Sequence, residues 1–157
     1  MKTVNRAYTG IPSYLRSRIA NTPADYAGAA IGILGIPFDE GSPFLPGSRM
    51  GPRAIREHSL RFPYGDPLYD PDTGEEYLGT ELTGGLIVDC GDVDIRPANP
   101  GRTFELITAR VREMLDAGLF PVMLGGDHSI TYPIFEAFDT PMPVSYTHLR
   151  AHETPEH

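Results

Sequence analysis

The sequence predicts an α/β fold built on a parallel sheet with helices on both faces. Three observations carry that expectation. Apolar, glycine-bounded runs of strand length recur at 29–37, 85–95 and 119–125. Segments with helical spacing separate them. Alternation of this kind joins neighbouring strands by helical crossovers, which makes the sheet parallel.

Taken in order, residues 1–28 hold no sustained period, and Pro12 and Pro23 punctuate them, so they read as an N-terminal arm with one short helical turn at 13–19. "AAIGILGIP" (29–37) is a buried strand stopped by Pro37. The long loop "FDEGSPFLPGSRMGP" leads into a helix over "PRAIREHSL". Pro52 sits in its first turn, where a missing N–H costs little. Residues 62–85, rich in Pro, Gly, Asp and Tyr, form a loop excursion that includes a short hairpin. "GLIVDCGDVDI" (85–95) is the second strand. "NPGRTFELITARVREMLDAG" is the clearest helix: Phe104, Ile107, Val111, Met114 and Leu115 share one face, and Gly118 supplies the stop. "LFPVMLG" is the third strand, "SITYPIFEAF" opens a helix that Ser129 or Thr131 can cap, and "MPVSY" begins a fourth strand.

A chain of 157 residues suits one domain and can bury a core without staples. The net charge of −8, from 13 basic and 21 acidic residues, argues against nucleic-acid or anionic-membrane partners. Cys90 is the only cysteine, so no intramolecular disulfide forms, which fits a reducing cytoplasm. "MKTVNRAYTG" lacks a signal-peptide core, and "AAIGILGIPF" is too short and glycine-rich to span a bilayer. The expectation is a soluble, cytoplasmic protein. With 17 glycines and 16 prolines beside clearly periodic segments, the chain invests in shaped loops rather than disorder.

In open parallel sheets ligands bind beyond the carboxyl ends of the strands. Three loops leave that edge, carrying Asp39 and Glu40, then Asp92 and Asp94, then Asp127 and His128. Glycines before a helix start can cradle phosphate, yet "LGGDHS" matches neither the dinucleotide fingerprint nor the P-loop, and Asp127 would repel an anion. Imidazole plus carboxylates suit a divalent metal instead. The plain structural alternatives stay open: turn chemistry for Asp92 and Asp94, and a backbone-satisfied helix-start histidine for His128.

"LGGDHSITYP" resembles the first metal-binding signature of the ureohydrolase (arginase/agmatinase) family. "GIPFDEGSPFLPGSRMGPRAIRE" (35–57) resembles its amino-terminal signature, and "DCGDVDI" its second strand. "YTGIPSYLR" (8–16) is most similar to the arm of the agmatinase and guanidinobutyrase branch. The resemblance runs over roughly residues 8–144. It implies a three-layer α/β/α sandwich, two Mn2+ ions per site, and hydrolysis of a guanidino compound to urea and an amine by a hydroxide bridging the metals. Two cations about 3.5–4 Å apart acidify water and offset the charge of the tetrahedral intermediate. By the same resemblance His128 is a metal ligand, and Asp127 orients the motif without touching the metal. Gly125 and Gly126 are backbone spacers, and Asp39, Gly47, Arg49, Gly51, Pro52 and Arg53 are structural residues near the site mouth or subunit contacts. A homo-oligomer, trimer or hexamer, is implied as well, with a small guanidino substrate and neither nucleic acid nor membrane as partner.

The match breaks after residue 144. The family pattern next requires an Asp-x-His-x-Asp strand, and a later Asp-x-Asp strand for the remaining ligands. Here "THLRAHET" puts Arg150 and Thr154 at the aspartate positions and His152 at the histidine, and an arginine opposes a dication. "SYTHLRAHETPEH" resembles translated sequencing adapter. The expectation is therefore an arm at 1–28, the N-terminal half of a ureohydrolase domain at 29–144 cut after about four strands, and a non-native tail at 145–157. Alone, that fragment should be molten and inactive, with an open sheet edge. The rivals are a genuine metal-binding tail using His148 and His152, and a non-catalytic α/β binding module or pseudo-enzyme subunit.

Overall fold

The computed structural model describes residues 11–62 and 67–138. Its elements are β1 (Arg18–Ile19), β2 (Ile31–Ile36), α1 (Gly51–Ser59), β3 (Leu68–Asp70), β4 (Glu75–Tyr77), α2 (Gly79–Thr83), β5 (Ile87–Asp92), α3 (Pro100–Asp116), β6 (Phe120–Gly125) and α4 (Thr131–Glu136). The main sheet has the order β1-β5-β2-β6 and every pairing in it is parallel. β2 is central: Ile31 to Ile36 lie opposite Phe120 to Gly125 of β6, while Ile31 and Ile33 lie opposite Ile87 and Asp89 of β5.

Strand side chains alternate between faces, and the two faces bury separate clusters. Leu34, Ile36, Val88 and Cys90 pack against Ile107, Val111 and Met114 of α3 and Ile134 of α4. Ile33, Ile87 and Leu124 gather with Leu15 and Leu82. With both faces covered, the sheet forms the middle of three layers, as the sequence predicts. α3 presents the expected face, with Phe104 and Leu115 partly buried at its margin. The Asn99 side chain caps it by accepting from Arg102 N at 3.1 Å, and Gly118 follows the helix at φ +77°.

The arm reads differently in the structure. A 3-10 turn at Tyr14–Arg16 sits inside the expected helical stretch, but Arg18–Ile19 then add an edge strand beside Val88 and Asp89. Two residues are too few to leave a period. In the 62–85 excursion the hairpin is present as antiparallel β3–β4, and α2 follows it as a short helix absent from the sequence reading. No described helix is long and apolar enough to cross a membrane. The expected fourth strand at 142–146, the tail, and His148 and His152 lie outside the described residues.

Candidate functional site

β2, β5 and β6 end side by side, so the three predicted loops do share one rim. The turn after β6 is held by close approach. A Cβ on Gly126 would lie 2.3 Å from Phe38 O and 2.6 Å from Ile36 O, so only glycine lets this turn rest against the end of β2. Asp127 N then donates to Phe38 O at 2.8 Å. The Asp127 carboxylate is fully engaged: Oδ1 accepts from Ser129 N at 2.9 Å and from the Ser129 hydroxyl, and Oδ2 accepts from Gly41 N at 2.8 Å. Asp127, not Ser129 or Thr131, is the capping side chain, and what it caps is the 3-10 turn His128–Ile130 that leads into α4; α4 itself has no side-chain cap. Those amides are the donors a phosphate would need, and the carboxylate already fills them. His128 stands exposed on the rim, and its Nδ1 shares a 3.2 Å hydrogen bond with Thr131 Oγ1. The partner is a side-chain hydroxyl rather than backbone.

The loop after β2 is closed by its own ion pair. Asp39, only 1% exposed, accepts from Arg49 Nε at 2.5 Å, Gly47 N at 2.7 Å and Arg49 N at 3.2 Å. The Arg49 guanidinium holds its carboxyl down to about 2, against the opposing effect of desolvation. Asp39 thus faces into the loop rather than the rim opening. Gly47 has φ +154°, a turn geometry open to glycine. Gly51 starts α1 hard against β6, where an added Cβ would lie 2.6 Å from Gly125 O. Pro52 is buried in the first turn of the helix. Arg53 pairs with Glu57 at 2.8 Å on the exposed side of α1. Glu40 accepts from Ala98 N at 3.2 Å, linking this loop to the one after β5.

The carboxyl-terminal part of β5 holds what the sequence reading missed. Arg56, buried on α1, donates from Nε and Nη2 to the two oxygens of buried Asp89 at 2.8 and 2.9 Å. Its Nη1 reaches Asp92 Oδ1 at 2.6 Å, and Nη2 reaches Gly91 O at 2.9 Å. Burial alone would lower the Arg56 guanidinium; its bonds to Asp89 and Asp92 outweigh that and raise it. Asp92 is thus an ion-pair partner and not merely a turn residue. A signal was present: Pro52, Arg56 and Ser59 share a buried helix face, and Asp89 interrupts a buried strand. A carboxylate there needs a charged, hydrogen-bonding partner.

The donor chemistry at the rim fits a divalent metal at one position, His128. Among the described residues no group of three or more His, Cys, Asp or Glu could hold a metal ion. Most rim carboxylates are spent on structure: Asp39 on Arg49, Asp92 on Arg56, Asp127 on Ser129 and Gly41. Cys90 is buried, and burial pushes its thiol up, so it offers no reactive thiolate.

Comparison with known proteins places this geometry. Residues 29–153 match the model of the arginase family. The chain is 38% identical over 121 residues to an agmatinase of Bacillus anthracis, covering 76% of this chain and 39% of that protein. It is 33% identical over 144 residues to the mitochondrial guanidino acid hydrolase of Homo sapiens, covering 91% and 38%. Among solved structures, a hypothetical agmatinase from Burkholderia thailandensis superposes with a TM-score of 0.69 at 26% identity, over 84% of this chain and 39% of that one. A Trypanosoma cruzi formiminoglutamase with Mn2+ gives a TM-score of 0.58 at 25% identity, over 75% and 36%. The chain spans about two-fifths of the length of the relatives it matches.

Proposed function

This chain belongs to the arginase family, and from that premise we propose that its parent protein, a full-length protein of the relatives' size that contains this chain, hydrolyses a guanidino compound to urea and an amine. The observation that carries the reading is the "GGDHS" turn. Gly126 and Asp127 lock it to β2, and His128 is left exposed at the carboxyl end of the sheet. The relatives named as agmatinase and guanidino acid hydrolase support the substrate class, and the Mn2+-containing neighbour supports the metal.

In this reading His128 offers an imidazole to manganese, and the other ligands come from outside the described residues. When bound, a pair of such ions acidifies water and offsets charge developing at the reacting carbon. The chain's own part is placement. Asp127 fixes the turn through three donors, so the His128 backbone is set before any metal arrives. Cytoplasmic location, trimeric or hexameric assembly, and a division into arm, half-domain and non-native tail belong to the same proposal.

The test uses the parent protein loaded with manganese, and measures urea release from agmatine and from guanidinobutyrate. His128→Ala should lower bound manganese and cut turnover by at least about 10–100-fold, the scale already expected for losing a residue that only orients a metal ligand. Unchanged metal content and rate would remove His128 from the site. No urea from either substrate by the wild-type parent would favour the non-catalytic binding module.

A further inference from the structure

α1 crosses the sheet in a particular place. β2 lies between β5 and β6; α1 packs against β2 and β6, and it reaches β5 through the Arg56 side chain. Its first residue, Gly51, abuts Gly125 O at the start of the His128 turn. One and a half turns later Arg56 grips Asp89, Gly91 and Asp92 at the end of β5. We propose that Arg56 is a positioning residue: through α1 it sets the spacing between the β5 turn and the His128 turn. The proposal rests on the functional reading above for its catalytic consequence, but not for its structural one.

Several features make this more than a buried ion pair. The guanidinium uses Nε, Nη1 and Nη2 on two carboxylates and a carbonyl, which defines an orientation as well as a contact. The sheet makes room for it: a Cβ on Gly35 would lie 1.8 Å from Asp92 Oδ1, so the Asp92 carboxylate occupies space that only glycine leaves. The β2–β5 register shifts at this same point, between Ile33 and Gly35, and Gly91 takes φ +72° to turn its carbonyl to Arg56. Asp89 also accepts from Tyr14 N at 2.7 Å, so the arm is tied to the same carboxylate. Hydrophobic contact alone would let α1 slide along the sheet; a forked, desolvated charge pair has one register.

The decisive variant is Arg56→Met with Asp89→Leu in the parent protein. Replacing a buried ion pair by apolar side chains of similar size is often neutral for stability, although here Tyr14 N and Gly91 N also lose their acceptor, a cost that global unfolding must be used to subtract. The expected result is a cooperatively folded protein in which amides 126–131 exchange faster than in the wild type. Turnover should fall about tenfold or more with KM nearly unchanged, since a displacement of about 1 Å can cost that much. Wild-type exchange at 126–131 in the folded double variant would overturn the proposal, whether or not the parent releases urea. Should the double variant fail to fold, Arg56→Lys keeps the charge and removes the fork. It should fold and show the same change at 126–131 in milder form, and wild-type exchange there would overturn the proposal equally. If the wild-type parent releases no urea yet the exchange shifts as stated, the functional reading fails and the positioning role stands.

Discussion

On the α3–α4 side of the sheet, Leu34, Ile36, Val88 and Cys90 meet Ile107, Val111 and Met114 as hydrocarbon and sulfur. On the α1 side, Ile33 and Ile87 share their layer with the Arg56–Asp89 pair and the buried Ser59. The first face is held by burial, which is strong and non-directional. The second has a smaller apolar cluster and a hydrogen-bonded core of charge, which is weak evidence for net stability but defines one geometry. The turn carrying His128 is braced by α1, through Gly51 on Gly125, on that second side. The molecule therefore draws cohesion from one face and alignment of its rim from the other.

The largest expected effect breaks the polar face. Arg56→Met alone leaves Asp89 buried without its cation, and should destabilise the parent protein by about 3–5 kcal/mol in urea unfolding. A cost near zero would mean that water or another cation reaches Asp89, and that the pair does not organise this face. Next comes the apolar face. Met114→Ala removes a fully buried side chain packed against Gly32, for about 2–5 kcal/mol. Because this loss is cohesive, amide exchange at 126–131 should rise only as far as global stability falls. A selective rise there would blur the distinction between faces.

The smallest effect is in acid. Asp39 has its folded-state pKa lowered to about 2 from 3.8. Its stabilising contribution is complete above the unfolded value and is lost as pH falls from about 4 through about 2. Arg49→Met should therefore differ from wild type in urea midpoint at pH 6, and the difference should shrink as pH falls from about 4 toward about 2. A difference that stays constant across that range would assign the loop's stability to packing instead of charge.

Much of this was legible in the chain. Strand positions 29–37, 85–95 and 119–125 each contain the observed strand, and the α3 face follows from spacing alone. "LGGDHS" announced the turn and its histidine because glycines and an imidazole are each constrained by neighbours within a few positions, whereas its capping carboxylate, Asp127 in place of Ser129 or Thr131, emerged only in the structure. β1 was hidden because two residues carry no period, and their strand character exists only beside Val88 and Asp89. The fates of Asp39 and Asp92 were hidden for a related reason. Asp39 read as a structural residue and Asp92 as either a rim carboxylate or a turn residue, but neither partner could be named: Asp39 is answered by an arginine 10 positions later and Asp92 by one 36 positions earlier.

By itself the sequence determined what depends on local periodicity and steric permission: the β-α alternation, the helix faces, the glycine-built turn and the family signature. Only the tertiary structure decided which charges are partners. Asp89 and Arg56 are 33 residues apart, and nothing local to either names the other. Their pairing follows from β5 lying beside β2 with α1 packed across them, because a buried carboxylate must find its cation wherever the fold brings one within hydrogen-bonding reach.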